Sequence, residues 1–172
     1  GLSIRTSLDT DSQSIAIKAL QNGLKSYDKR HGYRGVIANY GQDNWLEYAK
    51  KNFKTPQGYL FARVQSFVGK DVVVEIDNSK LKYPDNDAIL SIDDYKWARK
   101  FISDYYVGPK ISSPKDIFKI NDIIYISIGE NNRFILEQIP KINGAIVAMD
   151  PYSGRVLALS GGFDFKLSNF NR

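Results

Sequence analysis

The sequence predicts an α+β, mainly β fold in which a small barrel is inserted between a strand–helix element and a terminal β-hairpin. Three observations support this prediction: one long amphipathic helical pattern near the start, alternating strand patterns from residue 59 onward, and a second pair of apolar strands near the end. The 172 residues suit one domain or two small ones, and the content of 42% hydrophobic and 25% charged residues is that of a globular chain.

Composition excludes several kinds of site. The chain has no cysteine, which excludes disulfides and thiolate zinc sites, and its one histidine, His31, excludes a histidine-rich metal centre. No apolar run approaches the roughly 20 residues that span a bilayer. The net charge of +5 is compatible with nucleic acid, an anionic surface or an acidic polymer, but the lysines are scattered, which favours an ordinary solvated surface.

Residues 3–7 alternate as in a short strand, and a strong helix start follows. Asp9 or Thr10 can cap this helix, and Thr10 with Gln13 has the spacing of a capping box. The predicted helix covers residues 10–27. Its apolar stripe recurs at spacings of three and four residues and comprises Ile17, Leu20, Leu24 and Tyr27.

The long helix is predicted to end at "DKRHG". Basic side chains there suit the negative end of the helix dipole, and Gly32 suits the left-handed stop, so His31 is interpreted as a helix-end residue and not as a catalytic base. A second, shorter helix is predicted in "DNWLEYAKKNF", before the breaker "TPQG". Its shared face would consist of Trp45, Tyr48, Ala49 and Phe53.

Strand patterns fill the middle of the chain. Leu60, Ala62 and Val64 alternate, "GKD" makes a turn, and a returning strand ends near Ile76, which together indicate a hairpin. Further strands are predicted at 80–83, 88–92, 123–128 and 133–138, with a short helical or irregular piece in "DDYKWARKFISDYY". About five short strands broken by one helical piece favour a small closed barrel of the oligonucleotide/oligosaccharide-binding (OB) type.

Two apolar strands are predicted near the end of the chain, at 142–149 and 155–160, joined by the turn "DPYSG". Near-continuous apolar strands are typical of a sheet covered on both faces. The helix at 10–27 is the one long helix available to cover a face. We therefore expect a discontinuous layout in which the two ends of the chain pack together and the barrel is inserted between them.

Several stretches resemble the class A penicillin-binding proteins of the 1A type. "IRTSLDTDSQ" is similar to the family's entry into the transpeptidase domain, "GLKSYDKRHGYRG" to the segment that follows, and "LSIDDYKWAR" and "NDIIYI" to its inserted OB-like domain. "QIPKINGAIVAMDPYSGRVLALSGGFDFKLSNFNR" resembles the opening transpeptidase strands. Asn121 replaces a glycine of the family pattern, and since asparagine tolerates a left-handed backbone, we expect the turn to survive.

The resemblance implies four segments: residues 1–34 as the strand and helix that open the transpeptidase domain, 35–57 as a helical connection, 58–140 as the OB-like barrel, and 141–172 as the first transpeptidase strands. It implies a glycosyltransferase domain before Gly1 and the nucleophilic serine after Arg172. The parent would be a membrane-anchored peptidoglycan synthase at the periplasmic face of the bacterial inner membrane. The chain itself would be a soluble, non-catalytic accessory region without cofactor. Its role would be docking an envelope protein, contacting peptidoglycan, or a regulatory one of setting the geometry between the two catalytic domains.

The chain does not contain the full set of sequence motifs that a serine acyltransferase needs. Serine acyltransferases of this type need S-x-x-K, S-x-N or S-D-N, and K-T-G. Of the two S-x-x-K matches, Ser79–Lys82 lies in a predicted strand and Ser112–Lys115 contains a proline in a loop, and K-T-G and S-D-N do not occur. We expect no acyl-enzyme, no catalytic residues and no metal or cofactor site, and a small independent hydrolase is disfavoured for the same reason.

Other polar candidates have structural explanations. Asp93 with Asp94, or Asp9 with Asp11, could suggest glycosidase chemistry, but caps and turns explain all four carboxylates. "GG" at Gly161 lacks a phosphate-binding frame and is interpreted as a turn at a sheet edge.

The alternative function is that of an OB-fold protein that binds single-stranded nucleic acid through aromatic platforms. The aromatic candidates are Tyr59, Phe61, Phe67, Tyr83 and Tyr95. Most of them are expected to fill the barrel, so no nucleic-acid partner is predicted.

Overall fold

The computed structural model describes residue 3 and residues 6–80 and 87–164. The chain forms two compact units, one from Gly1–Asp28 with Pro140–Arg172 and one from Lys29–Ile139. We call these the terminal unit and the barrel unit. The four segment boundaries predicted from the resemblance stay predictions. Among the described residues, no helix is both long enough and apolar enough to cross a membrane.

The barrel unit is mainly β, with two short helices. Its elements in chain order are β1 (Ala38–Asn39), α2 (Trp45–Asn52), β2 (Tyr59–Val68), β3 (Asp71–Ile76), β4 (Asp87–Leu90), α3 (Ile92–Tyr95), β5 (Phe101–Ser103), β6 (Tyr106–Val107), β7 (Asp122–Ile128) and β8 (Phe134–Glu137). They follow the chain's first helix, α1 (Thr10–Arg30). The main sheet has the order β1-β7-β2-β3-β4, and β8 also pairs with β7. All of these pairings are antiparallel.

The central strand β2 is paired along both edges. Residues 59–63 pair with β7, and residues 62–68 pair with β3. The register of the second pairing shifts between Val64 and Ser66, which leaves Gln65 as an extra residue. Such a bulge bends a strand and increases its twist, so it lets β2 curve and serve both halves of the sheet.

The core of the barrel unit follows from the alternation of β2, β3 and β7. Their inward side chains are fully or almost fully buried, together with residues from α3 and from the loop before β7. The largest of them that are completely buried are Tyr95, Phe118, Leu90, Ile124, Ile126 and Leu136. The Tyr95 hydroxyl donates to the Lys70 carbonyl at 2.5 Å, and burial raises the pKa of Tyr95 to about 12, with further contributions from the charges of Asp71 and Asp116.

Arg63 connects three elements. Its guanidinium pairs with the Glu75 carboxylate of β3 at 2.6 Å, donates to the Gln42 carbonyl at 2.9 Å, and lies 5.5 Å from the centre of the Trp45 ring. Trp45 and Ala49 bury one face of α2. The predicted second helix and its apolar face are therefore confirmed at these two residues.

A second polar cluster joins α2 to the end of β3. The Asp77 carboxylate accepts hydrogen bonds from the backbone and the hydroxyl of Ser79, and Lys50 Nζ lies 3.0 Å from it. Burial alone would raise the pKa of Asp77, but the hydrogen bonds from Ser79 and Lys50 outweigh it and lower the pKa. At this cluster β3 ends, and the chain continues in a short 3-10 turn, Asn78–Lys80.

The stretch after α3 differs from its prediction as a helical or irregular piece. Only Ile92–Tyr95 is helical, and β5 and β6 form a small hairpin of their own. A parallel bridge between Tyr33 and Lys100 ties the start of β5 to the segment after α1. The predicted strand at 80–83 begins in a 3-10 turn at Lys80, and its other residues lie outside the described residues.

In the terminal unit, the long helix begins as predicted at Thr10. Its cap is Asp9, whose Oδ1 accepts from Ser12 N at 2.7 Å. The predicted capping box of Thr10 with Gln13 is wrong, because the side-chain amide of Gln13 bonds to the backbone of Leu159 instead. Of the strand predicted at residues 3–7, positions 4 and 5 lie outside the described residues, and Ser3, Thr6 and Ser7 are not in a strand.

The terminal hairpin consists of β9 (Ala145–Met149) and β10 (Val156–Gly161), paired antiparallel. Gln13 Nε2 donates to the Leu159 carbonyl at 2.8 Å, and Leu159 N donates to Gln13 Oε1 at 2.9 Å. Asp9 N donates to the Leu157 carbonyl at 2.9 Å. The segment around the start of α1 therefore pairs along the outer edge of β10 as a further strand would.

Only one face of this hairpin is well buried. Ala158 is completely buried, whereas Val147, Met149 and Leu159 are about half exposed. The described residues of the hairpin are therefore covered on one face, as one helix allows, and half-exposed on the other. The helical face predicted to lie on the sheet is close to it at Gly144, where an added Cβ would lie 3.2 Å from Leu24 Cδ2 and 3.4 Å from Leu20 Cδ1.

We predict that Gly32→Ala destabilises the barrel unit by about 3 kcal/mol, measured by urea denaturation. Gly32 has a φ of +96°, and an added Cβ would lie 2.8 Å from the Arg99 carbonyl and 3.0 Å from Phe101 N. The matched control is Gly58→Ala, where φ is +80° but no atom lies within 4 Å, so only backbone strain of about 1 kcal/mol is expected. Equal losses for both variants would contradict this account of Gly32.

We predict that Asp77→Asn costs about 2 kcal/mol of unfolding free energy at pH 7, because charged hydrogen bonds are lost in a buried setting. A carboxylate with a lowered pKa stabilises the fold fully above its unfolded value of about 3.9, and this stabilisation is lost as the pH falls through the lower folded value. The difference from wild type should therefore shrink below about pH 4 in pH-dependent urea titrations. The control is Asp104→Asn, an exposed site, and a pH-independent difference at Asp77 would argue against the assignment.

Candidate functional site

The serines of the two S-x-x-K matches lie in or next to 3-10 turns. The Ser112 amide and hydroxyl and the Ser113 amide all donate to Asp116 Oδ2, which forms a capping box around Pro114. Backbone hydrogen bonds from Ser113 and then Ser112 lower the pKa of Asp116. The Ser79 hydroxyl donates to Asp77, as described above. Both serine hydroxyls thus donate to an aspartate within their own turn.

The candidate carboxylate pairs are also structural. Asp93 forms an exposed ion pair with Lys96 at 2.7 Å, and the hydrogen bond and charge of Lys96 lower the pKa of Asp93. Asp94 is buried, where it accepts from Ser91 N and pairs with Arg133. Asp9 and Asp11 lie at the start of α1, where Asp9 is the cap. Among the described residues, no group of three potential ligands could hold a metal ion.

The remaining sequence candidates occupy turns and the core. His31 directly follows the last residue of α1. Gly162 has a φ of +76° and donates to the Gly144 carbonyl, so "GG" closes the terminal hairpin. Of the proposed aromatic platforms, Tyr59, Phe61 and Tyr95 are buried, Phe67 is half-buried, and Tyr83 lies outside the described residues.

One stretch of the barrel unit instead exposes apolar and aromatic side chains. We call residues 101–107, formed by β5, β6 and their turn, the aromatic hairpin. Ile102, Tyr105 and Tyr106 are 62%, 91% and 71% exposed, respectively. Tyrosine is enriched in protein interfaces, because it supplies a large contact area at a small entropic cost. This hairpin is the most exposed aromatic surface among the described residues of the barrel unit.

A cavity of about 270 Å³ lies beside the aromatic hairpin, within the barrel unit. We call it the cationic cavity, and its lining consists of Lys29, Arg30, Gly32, Trp97, Arg99 and Val107. Lys29 Nζ pairs with Glu137 at 2.9 Å and lies 4.8 Å from the centre of the Trp97 ring. Arg99 Nε donates to the Gly108 carbonyl at 2.6 Å. Three cations and an aromatic ring therefore meet around one concave surface.

Sequence reasoning did not identify this cavity. Its residues come from two stretches about 65 positions apart, and the backbone bonds that join them, Tyr33 N to the Arg99 carbonyl and Phe101 N to the Tyr33 carbonyl, leave no periodic signal. The combination "WAR" in a stretch predicted to be irregular was the one available hint. It could not be assigned to a site without the pairing.

A family model described as "Penicillin-binding protein OB-like domain" matches residues 33–142. Penicillin-binding protein 1A of Rickettsia typhi is 37% identical over 175 residues, with 100% of this chain and 20% of that protein covered. Penicillin-binding protein 1A of Escherichia coli K12 is 31% identical over 180 residues, with the same coverage. The chain thus spans about a fifth of the length of these relatives.

Among solved structures, Penicillin-Binding Protein 1A from Haemophilus influenzae matches with a TM-score of 0.69 and 24% identity, over 97% of this chain and 23% of that one. This likeness confirms the predicted mainly β, OB-like fold. The family model spans nearly the whole barrel unit and more than half of the chain. The chain therefore belongs to the family of penicillin-binding protein OB-like domains.

Proposed function

We propose that this chain is the non-catalytic accessory region of a bifunctional peptidoglycan synthase, in which the barrel unit docks a partner in the cell envelope. The observation that carries the proposal is the similarity to penicillin-binding protein 1A over the full length of the chain. By the resemblance of its motifs, the parent would carry glycosyltransferase and transpeptidase activities and would be anchored at the periplasmic face of the inner membrane.

In this proposal the two structural units have different roles. Residues 1–34 and 141–172 open the transpeptidase domain. Residues 35–57 form a helical connection, and residues 58–140 form the docking barrel. The serines that match S-x-x-K are held by Asp77 and Asp116, which supports a role for this region other than acyl transfer. The exposed side chains of the aromatic hairpin support docking, since they offer contact area that the fold itself does not use.

The nucleic-acid alternative has no comparable support. Three of the five aromatic side chains that suggested it are buried and fill space between the strands. A base can stack only on an exposed ring, so these residues offer no platform.

We predict that the purified chain is not labelled by fluorescent penicillin, whereas the full-length protein that contains it is labelled. In that full-length protein, the double substitution Tyr105→Ser and Tyr106→Ser should leave penicillin labelling unchanged, because the transpeptidase is intact. It should reduce peptidoglycan cross-linking in cells that depend on this synthase, by about twofold or more, since interface tyrosines often contribute over 1 kcal/mol to binding. Muropeptide analysis of the cell wall measures the degree of cross-linking.

The matched control is Tyr152→Ser, which removes a 98% exposed tyrosine from the terminal unit. It should change neither labelling nor cross-linking. Labelling of the purified chain would show that it acylates on its own and would refute the non-catalytic role. Normal cross-linking with the double variant would refute docking through the aromatic hairpin.

A further inference from the structure

The cationic cavity has the features of a built binding site. Two backbone hydrogen bonds hold its two sides together, Tyr33 N to the Arg99 carbonyl at 2.7 Å and Phe101 N to the Tyr33 carbonyl at 2.8 Å, and a third, Gly108 N to the Lys100 carbonyl at 2.7 Å, closes the second side. Gly32, in the wall, leaves no room for a side chain. The position of the cationic groups is therefore fixed by the fold, which reduces the entropy lost on binding.

One donor group at this cavity, the Arg99 guanidinium, is only partly used within the described part of the chain. Arg99 is anchored through Nε, and its two terminal nitrogens have no acceptor among the described residues. A guanidinium held at one nitrogen presents the other two as a fork that matches a carboxylate.

Among the described residues, the lining of the cavity carries cationic side chains and no acidic one. Its cations are Lys29, which pairs with the neighbouring Glu137, together with Arg30 and Arg99. This excess favours an anionic ligand. A volume of about 270 Å³ is slightly below the range of about 300–1,000 Å³ typical of small-molecule pockets, so it suits one carboxylate-bearing amino-acid unit better than a disaccharide.

We propose that the cationic cavity binds a free carboxylate of the peptidoglycan stem peptide, with Arg99 as the bidentate donor. The inference rests on the proposed function, since a peptidoglycan synthase works on a polymer whose peptides carry carboxylates. Trp97 forms the apolar wall against which the adjoining part of the peptide packs. The site would hold the polymer at the barrel unit.

The test titrates the purified chain with a soluble disaccharide-tetrapeptide from digested peptidoglycan and follows tryptophan emission and heat release. Trp97 is one of only two tryptophans in the chain, the other being the buried Trp45, so emission reports on the cavity. We expect saturable binding, weakened about tenfold or more by Arg99→Gln, because a charge-assisted pair is lost. Arg99→Lys keeps the charge without the fork and should also weaken binding. The same ligand with its carboxylates converted to amides should not bind.

The charge-matched control is Lys119→Gln, an exposed lysine of the barrel unit outside the cavity, which should bind as wild type does. No saturable binding, equal weakening by both glutamine variants, or undiminished binding of the amidated ligand would overturn the proposal. Equal binding of a mixed acidic peptide without sugar or D-amino acids would overturn it too, because the cavity would then be a general site for acidic protein segments. If the ligand titration overturns the cavity proposal but the Tyr105 and Tyr106 double variant still reduces cross-linking, the docking function is retained.

Discussion

The two-sided pairing of β2 is the constraint on which the barrel unit depends. A strand that pairs with β7 along its first half and with β3 along its second must change direction between them, and the extra residue at Gln65 provides the bend. Before this bend the side chains of residues 59–62 and Val64 are buried, whereas beyond it Phe67 is half-buried and Val68 is exposed. Arg63, at the overlap of the two pairings, then fixes β3 and the start of α2 through Glu75 and Trp45.

Elements with strong periodicity could be predicted from the sequence. The helix at Thr10–Arg30, the helix at Trp45–Asn52 and the hairpin of β2 with β3 all follow from regular apolar spacing and clear turn residues. The turn at Asn121 also survives, with a φ of +69°, as expected for asparagine in place of glycine. In these cases local preference and tertiary packing favour the same conformation, so a single sequence is informative.

The parts that could not be predicted depend on partners distant in the chain. Gln13 has the spacing of a capping box, yet it bonds to Leu159, because an unpaired strand edge competes better for its amide than the first turn of the helix. The hairpin of β5 and β6 is stabilised by the bridge to Tyr33, which no local pattern reveals. The cationic cavity forms at that same junction, so its residues became visible only with the pairing.

The pairing of Gln13 and Asp9 along β10 also determines how the terminal sheet can grow. An amide side chain and a backbone segment already occupy the outer edge of β10, and no backbone bond among the described residues occupies the opposite edge of β9. A strand joining this sheet therefore has one available neighbour, β9. The side chain of a single glutamine thus sets the direction of sheet extension, and it also blocks association of two copies through β10.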